Sequence, residues 1–191
     1  MAKKPNILFI LLDDMGWRDL ACTGSTFYET PNIDRLAREG MVFPNAYASC
    51  PVCSPSRASF LTGKYPARVG VTDWIDMTGE CHPLKGKLID APYLKHIPEG
   101  ARTLAQCLQE EGYATWHVGK WHLGDEAHYP ERYGFEKNIG GCSWGHPKQG
   151  YFVPYGIPTL PEGPEGEYLT DRLTDEAIRL IQSGEERPFF L

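Results

Sequence analysis

The sequence predicts an α/β fold with a mostly parallel, doubly wound sheet and helices on both faces. Two observations carry this. Short apolar, β-prone runs alternate along the chain with stretches whose apolar residues recur at helical spacing. Glycine and proline punctuate the boundaries between them.

The first run, Asn6 to Leu12, reads as a buried strand. Thr30-Pro31 reads as a helix N-cap with proline in the first turn; Ile33, Leu36 and Ala37 form the apolar face and Gly40 the stop. Met41 to Tyr47 is predicted as a second strand. Pro55 to Leu61 is a short helix closed by Gly63, and Thr103 to Glu111 an amphipathic helix ending at Gly112. Tyr113 to Val118 follows as a strand. Leu169 to Gln182 carries Leu173, Ala177, Leu180 and Ile181 at helical spacing, and Phe189 to Leu191 begins another strand. The stretches 73–100 and 140–166, rich in Gly, Pro and aromatics, are expected to be loop insertions on the surface, where binding residues usually sit. The chain stops at Arg187-Pro188-Phe189-Phe190-Leu191, within an apolar run, so a continuation beyond it is expected.

The 191 residues are 41% hydrophobic and 23% charged, which suits a globular domain with one sizeable core. A net charge of -6 gives no general attraction to nucleic acid or anionic membrane. An anionic substrate would need a local cluster of cations. No run is apolar for long enough to span a bilayer. The apolar run Ile7 to Leu12 is too short for a signal peptide, so the protein is cytoplasmic as it stands, or periplasmic or secreted if a leader was removed. Six scattered cysteines leave disulfides and free thiols equally open.

Three constellations carry chemistry. Asp13 and Asp14 end the first predicted strand. Adjacent carboxylates repel unless water or a cation separates them, so the pair is either a solvated acidic turn or a site for a hard cation such as calcium or magnesium. Cys53 lies just ahead of a predicted helix, whose N-terminus favours negative charge; Arg57 adds a fixed cation one turn on, and Lys64 follows the closing glycine. Cys53 is thus a buried cysteine beside a capping turn or a thiolate nucleophile. Gly119-Lys120-Trp121-His122-Leu123-Gly124 places a cation and an imidazole two residues apart at another strand end. Each alone has an ordinary structural explanation. All three fall at predicted strand ends or helix starts, where α/β sheets bind ligands.

These same segments strongly resemble the type I sulfatases of the alkaline phosphatase superfamily. The likeness runs from Pro5-Asn6-Ile7-Leu8-Phe9-Ile10-Leu11-Leu12-Asp13-Asp14-Met15-Gly16 through Thr30-Pro31-Asn32-Ile33-Asp34-Arg35-Leu36-Ala37. It continues through the C-x-P-x-R element at Cys53 with its T-G-K and through Gly119–Gly124, and it ends with Arg187-Pro188-Phe189-Phe190. The resemblance implies an alkaline-phosphatase-like fold, with residues 1–191 as the N-terminal part of a sulfatase catalytic domain. It implies that Cys53 is converted to formylglycine by a separate maturing enzyme. Asp13, Asp14 and the modified residue 53 would bind calcium. Arg57 would polarise residue 53, Lys64 would steady its hydroxyl, Lys120 would grip sulfate and His122 would contact the other hydroxyl. A hydrated aldehyde suits the reaction: one hydroxyl attacks sulfur, and deprotonating the second releases sulfate where a plain serine would keep a stable ester. The family's later histidine, Asp-Asn pair and further lysine have no counterpart before Leu191, so the isolated chain is expected to bind calcium poorly and turn over little.

For the substrate, Asp73, Trp74, His82, Trp144, His146 and Tyr151 offer aromatic platforms and polar tips that suit a sugar ring, or simply pack loops. The segment Gly140-Gly141-Cys142-Ser143-Trp144-Gly145-His146-Pro147 resembles carbohydrate sulfatases of the N-acetylgalactosamine-6-sulfatase-like or arylsulfatase kind. The expected partner is therefore a sulfated carbohydrate or aryl sulfate. The rival chemistry is phosphonate or phosphate diester hydrolysis. The rival class is a non-catalytic folding or interaction module.

Overall fold

The computed structural model describes residues 3–79 and 85–191. Cys81 and His82, inside the predicted 73–100 insertion, lie outside the described residues. The helices are α1 (Pro31–Glu39), α2 (Cys53–Thr62), α3 (Pro66–Val69), α4 (Leu104–Glu110) and α5 (Leu169–Ile181). The strands are β1 (Ala114–Val118), β2 (Lys137–Ile139) and β3 (Phe189–Phe190). The chain forms two compact units: one is Ile10–Ala48, the other Ser49–Leu191 with the stretch through Phe9.

The larger unit is the α/β body. Its sheet is parallel throughout, in the order β2-β1-β3. Trp116 pairs with Lys137 and Val118 with Ile139 on one side; Ala114 pairs with Phe189 and Thr115 with Phe190 on the other. Side chains alternate across a strand, so β1 serves two cores. Ala114 and Trp116 pack with Leu180 of α5, while Phe189 stacks on Trp116. On the opposite face Tyr113 and Phe190 join Ala58 and Leu61 of α2 and Ala105 of α4. Helices thus cover both faces, as a doubly wound sheet requires. A capping box starts α4: Thr103 and Gln106 bond each other's backbone N–H groups. Thr103 Oγ1 also donates to the Tyr133 carbonyl at 2.6 Å.

Several sequence expectations need correction. Asn6–Leu12 is not a buried strand. Only Ile7 forms a parallel bridge, to Phe190; Ile7 and Phe9 N–H donate to Phe189 and Leu191 carbonyls at 2.7 Å. The run is paired along one edge only, and Leu8, Phe9, Ile10, Leu11 and Leu12 remain exposed. Met41–Tyr47 forms no strand: Pro44 has no N–H to give a ladder, and the chain turns at Pro44-Asn45. The strand β2 was not foreseen. Residues 140–166 hold no helix or strand, as expected of a loop, yet they are not merely surface: Tyr155 and Leu160 pack with Leu169 in a core of their own. Likewise Ile75 and Ile97 of the 73–100 stretch are buried in the main core. All five described cysteines are free thiols. Among the described residues no helix is long and apolar enough to cross a membrane.

In the smaller unit, α1 has the predicted limits, from Thr30-Pro31 to Gly40. Thr30 does not cap the helix through its side chain. Its Oγ1 accepts the Ala21 N–H and donates to Asp34 Oδ1, both at 3.0 Å, while Asp34 Oδ1 also accepts the Cys22 N–H. No residue from 10 to 48 is buried.

Candidate functional site

The central strand β1 runs into Gly119, whose φ of 96° is open to glycine and lets the chain turn sharply out of the sheet. The following segment delivers Lys120 and His122 to the carboxyl end of the strand, where α/β sheets bind ligands. Cys53 opens α2 itself, rather than preceding it, with Val52 as N-cap. It is half-buried among the first N–H groups of the helix, which have no partner within the helix.

Arg57, one turn further on, is buried. Its Nη1 donates to the Lys120 carbonyl at 2.7 Å. That bond ties the C-x-P-x-R helix to the G-K-W-H-L-G segment, which lies 63 residues away in sequence. A second tie runs through Ser54. Its Oγ donates to the His122 carbonyl and accepts the Ile75 N–H, both at 3.0 Å. His122, 3% exposed, sets Nε2 2.7 Å from the Ile75 carbonyl and donates its backbone N–H to the Cys142 carbonyl at 3.0 Å. Gly145 lies against the imidazole: a Cβ there would sit 2.7 Å from His122 Cε1.

Three segments therefore meet at His122: the start of α2, residues 71–76 and residues 141–146. Of the predicted substrate residues, Trp74 and Trp144 are the immediate neighbours of Ile75 and Gly145, and both are half-buried. Asp73 accepts the Trp74 N–H at 2.7 Å, Lys148 lies over the Trp144 ring, and His146 is exposed. Tyr151 is exposed beside Tyr168. Ser54, Ile75 and Gly145 were missed by the sequence reading. Only Ser54, a small polar residue one position past Cys53, left any signal. The other two act through their backbones.

Lys64 is not gathered with these residues. It follows the C-cap Gly63 at the far end of α2, about 15 Å along the helix from Cys53, and is exposed. No lysine side chain spans that distance, so the hydroxyl-steadying role expected for Lys64 has no geometric support.

His117, on β1 just before this loop, rests edge-on against Trp121 and Phe135, with Nε2 3.1 Å from the Gly119 carbonyl. Burial pushes its pKa from 6.5 down to about 4, with the Arg57 charge adding to the fall. It is a neutral structural histidine at pH 7.

Two non-glycine residues among those described have positive φ: Asp14 at 54° and His122 at 57°. Both were singled out from sequence alone. Such backbone strain collects where function demands a fixed side chain. Asp13 and Asp14 supply hard carboxylate oxygens of the kind calcium prefers. Two carboxylates fall short of its six to eight oxygen ligands, and no group of three acidic, histidine or cysteine side chains suited to a metal ion occurs among the described residues.

A family model described as Sulfatase matches residues 5–191. The N-acetylgalactosamine-6-sulfatase of Canis lupus familiaris is 36% identical over 211 residues, covering 98% of this chain and 38% of its own. The steryl-sulfatase of Mus musculus is 40% identical over 145 residues, covering 72% of this chain and 22% of its own. Among solved structures, Ps i-CgsB in complex with k-i-k-neocarrahexaose superposes with a TM-score of 0.75 at 30% identity, over 99% of this chain and 44% of that one. BT4656, solved with its substrate D-glucosamine-2-N,6-O-disulfate, gives a TM-score of 0.71 at 31% identity, over 98% of this chain and 33% of that one. The chain thus spans less than half the length of each of these relatives.

Proposed function

We propose, since the chain belongs to the sulfatase family, that it carries the nucleophile and its supporting residues for hydrolysis of a sulfate ester, on a carbohydrate or an aryl alcohol. The observation that supports this most is the Arg57–Lys120 bond, which joins the two sequence elements that the resemblance assigns to sulfate chemistry.

The site fits a formylglycine at position 53. A half-buried residue on the first turn of α2 has N–H donors close by, and these favour an oxygen-rich, developing anion. A hydrated formylglycine there would supply one hydroxyl for attack on sulfur and another whose deprotonation releases sulfate. Calcium, which the resemblance assigns to this chemistry, would supply positive charge to the reaction.

The remaining roles belong to this chain's other residues. Arg57 holds residue 53 and offsets negative charge, with its guanidinium anchored on the Lys120 carbonyl. Lys120 grips the sulfate. His122 takes the proton from the second hydroxyl. The buried packing around His122 keeps water from competing for that proton. Trp74 and Trp144, with Asp73 and His146 near them, form the candidate platform for the sugar. The relatives named for N-acetylgalactosamine-6-sulfate and glucosamine disulfate chemistry support a sulfated amino sugar.

The test uses a protein of the relatives' length, produced with a formylglycine-generating enzyme. Mass spectrometry of the residue 53 peptide should show aldehyde in place of thiol. Aryl sulfate should be cleaved faster than aryl phosphonate. The 191-residue chain alone should turn over little. An unmodified Cys53 in an active enzyme would overturn the mechanism, and faster phosphonate cleavage the ester class.

A further inference from the structure

Ser54 is fully buried and polar, and it spends both hydrogen-bonding capacities on the backbone around His122. It accepts from Ile75 N–H and donates to the His122 carbonyl. The carbonyl of that same Ile75 faces His122 Nε2 at 2.7 Å. A carbonyl oxygen can only accept, so Nε2 must carry the hydrogen. In a neutral imidazole the lone pair then lies on Nδ1. Gly145 packs close against the ring: a Cβ there would sit 2.7 Å from Cε1. The left-handed backbone of His122, at φ 57°, fixes the direction from which the side chain leaves.

We propose that Ser54 is a positioning residue: by fastening the Ile75 peptide and the His122 carbonyl to α2, it locks His122 as the Nε2–H tautomer, so that Nδ1 is the nitrogen that accepts the proton. This rests on the reading of His122 as the base, and it adds which nitrogen acts and what holds it. Ser54 touches no reacting atom; it acts through His122.

The test needs no turnover. The chain is labelled with 15N-histidine, and long-range proton–nitrogen correlation spectra are recorded at neutral pH, with His122 assigned from the signals lost in His122→Gln. The native chain should show one protonated nitrogen, Nε2, and one unprotonated nitrogen, Nδ1. In Ser54→Ala the two nitrogen shifts should move toward each other as the tautomers mix. The Ile75 amide should exchange with solvent about tenfold faster, the loss of roughly one hydrogen bond. Should Ser54→Ala fail to fold, Ser54→Cys keeps a similar volume with only weak hydrogen bonding and is judged on the same two signals. An Nδ1–H tautomer in the native chain overturns the proposal. So do unchanged ring shifts in a folded Ser54 variant. In a protein of the relatives' length, a His122→Gln variant that releases sulfate as fast as the native protein would instead sink the reading of His122 as the base, leaving the positioning role intact.

Discussion

The two units differ in what holds them. In Ser49–Leu191, a large aromatic such as Trp121 is 1% exposed, packs near Tyr133 and Phe135, and donates its Nε1 hydrogen to the His128 carbonyl at 2.8 Å. In Ile10–Ala48, Phe27 is 83% and Tyr47 87% exposed, and the order comes from hydrogen bonds around Thr30 and Asp34. Both units are rich in apolar residues. The difference lies in whether a second layer covers them, and hydrophobic stabilisation follows area removed from water rather than composition.

The largest contrast comes from truncating those aromatics. Trp121→Ala should cost about 3–5 kcal/mol in denaturant unfolding followed by circular dichroism. A cost below 1 kcal/mol would mean the larger unit is no better packed than the smaller. Next comes Gly134→Ala: φ is 92° there, and a Cβ would sit 2.5 Å from the Gln106 backbone nitrogen. The loss should be about 2–4 kcal/mol, because backbone has to move and α4 with it.

A pH effect follows. The unfolded chain protonates His117 as pH falls through 6.5, while the folded chain resists until about 4. Stability is therefore complete above 6.5 and declines between 6.5 and 4, by at most about 3 kcal/mol. His117→Phe should flatten the stability curve across that window. Smaller again, Thr30→Ala should cost about 1 kcal/mol and speed amide exchange at Ala21. Exchange confined to Ala21 and its neighbours would show local ordering; a global change would show the smaller unit to be more cooperative than its exposure suggests. Phe27→Ala should change stability by under about 0.5 kcal/mol.

How legible all this was depended on where each signal lies. Helix limits read well where they are written in adjacent residues, as in Thr30-Pro31 with Gly40, Thr103 ahead of α4, and Gly63 after Thr62, whereas α2 starts two residues before the predicted Pro55. Strands read less well. Three-residue β2 exists because β1 offers it a ladder, and Met41–Tyr47 fails because nothing does. At the site, Cys53, Arg57, Lys120 and His122 were visible through residue type and spacing. The Ile75 carbonyl and the Gly145 backbone were not, since a main-chain contact leaves no trace in side-chain identity. Lys64 entered through the resemblance, and the length of α2 separates it from Cys53.

Arg187 stands two residues before β3 and forms a fork with Glu136, both nitrogen–oxygen distances being 2.9 Å, while Glu136 N–H reaches the Thr115 carbonyl. The outer strands β2 and β3 never touch, yet this fork clamps together the segments leading into both. With only two residues in β3, sliding it by a single position would swing Phe190 out of one core and Phe189 out of the other. Burial of the two rings sets the phase of the sheet, and the fork adds a small, salt-sensitive preference for the same alignment.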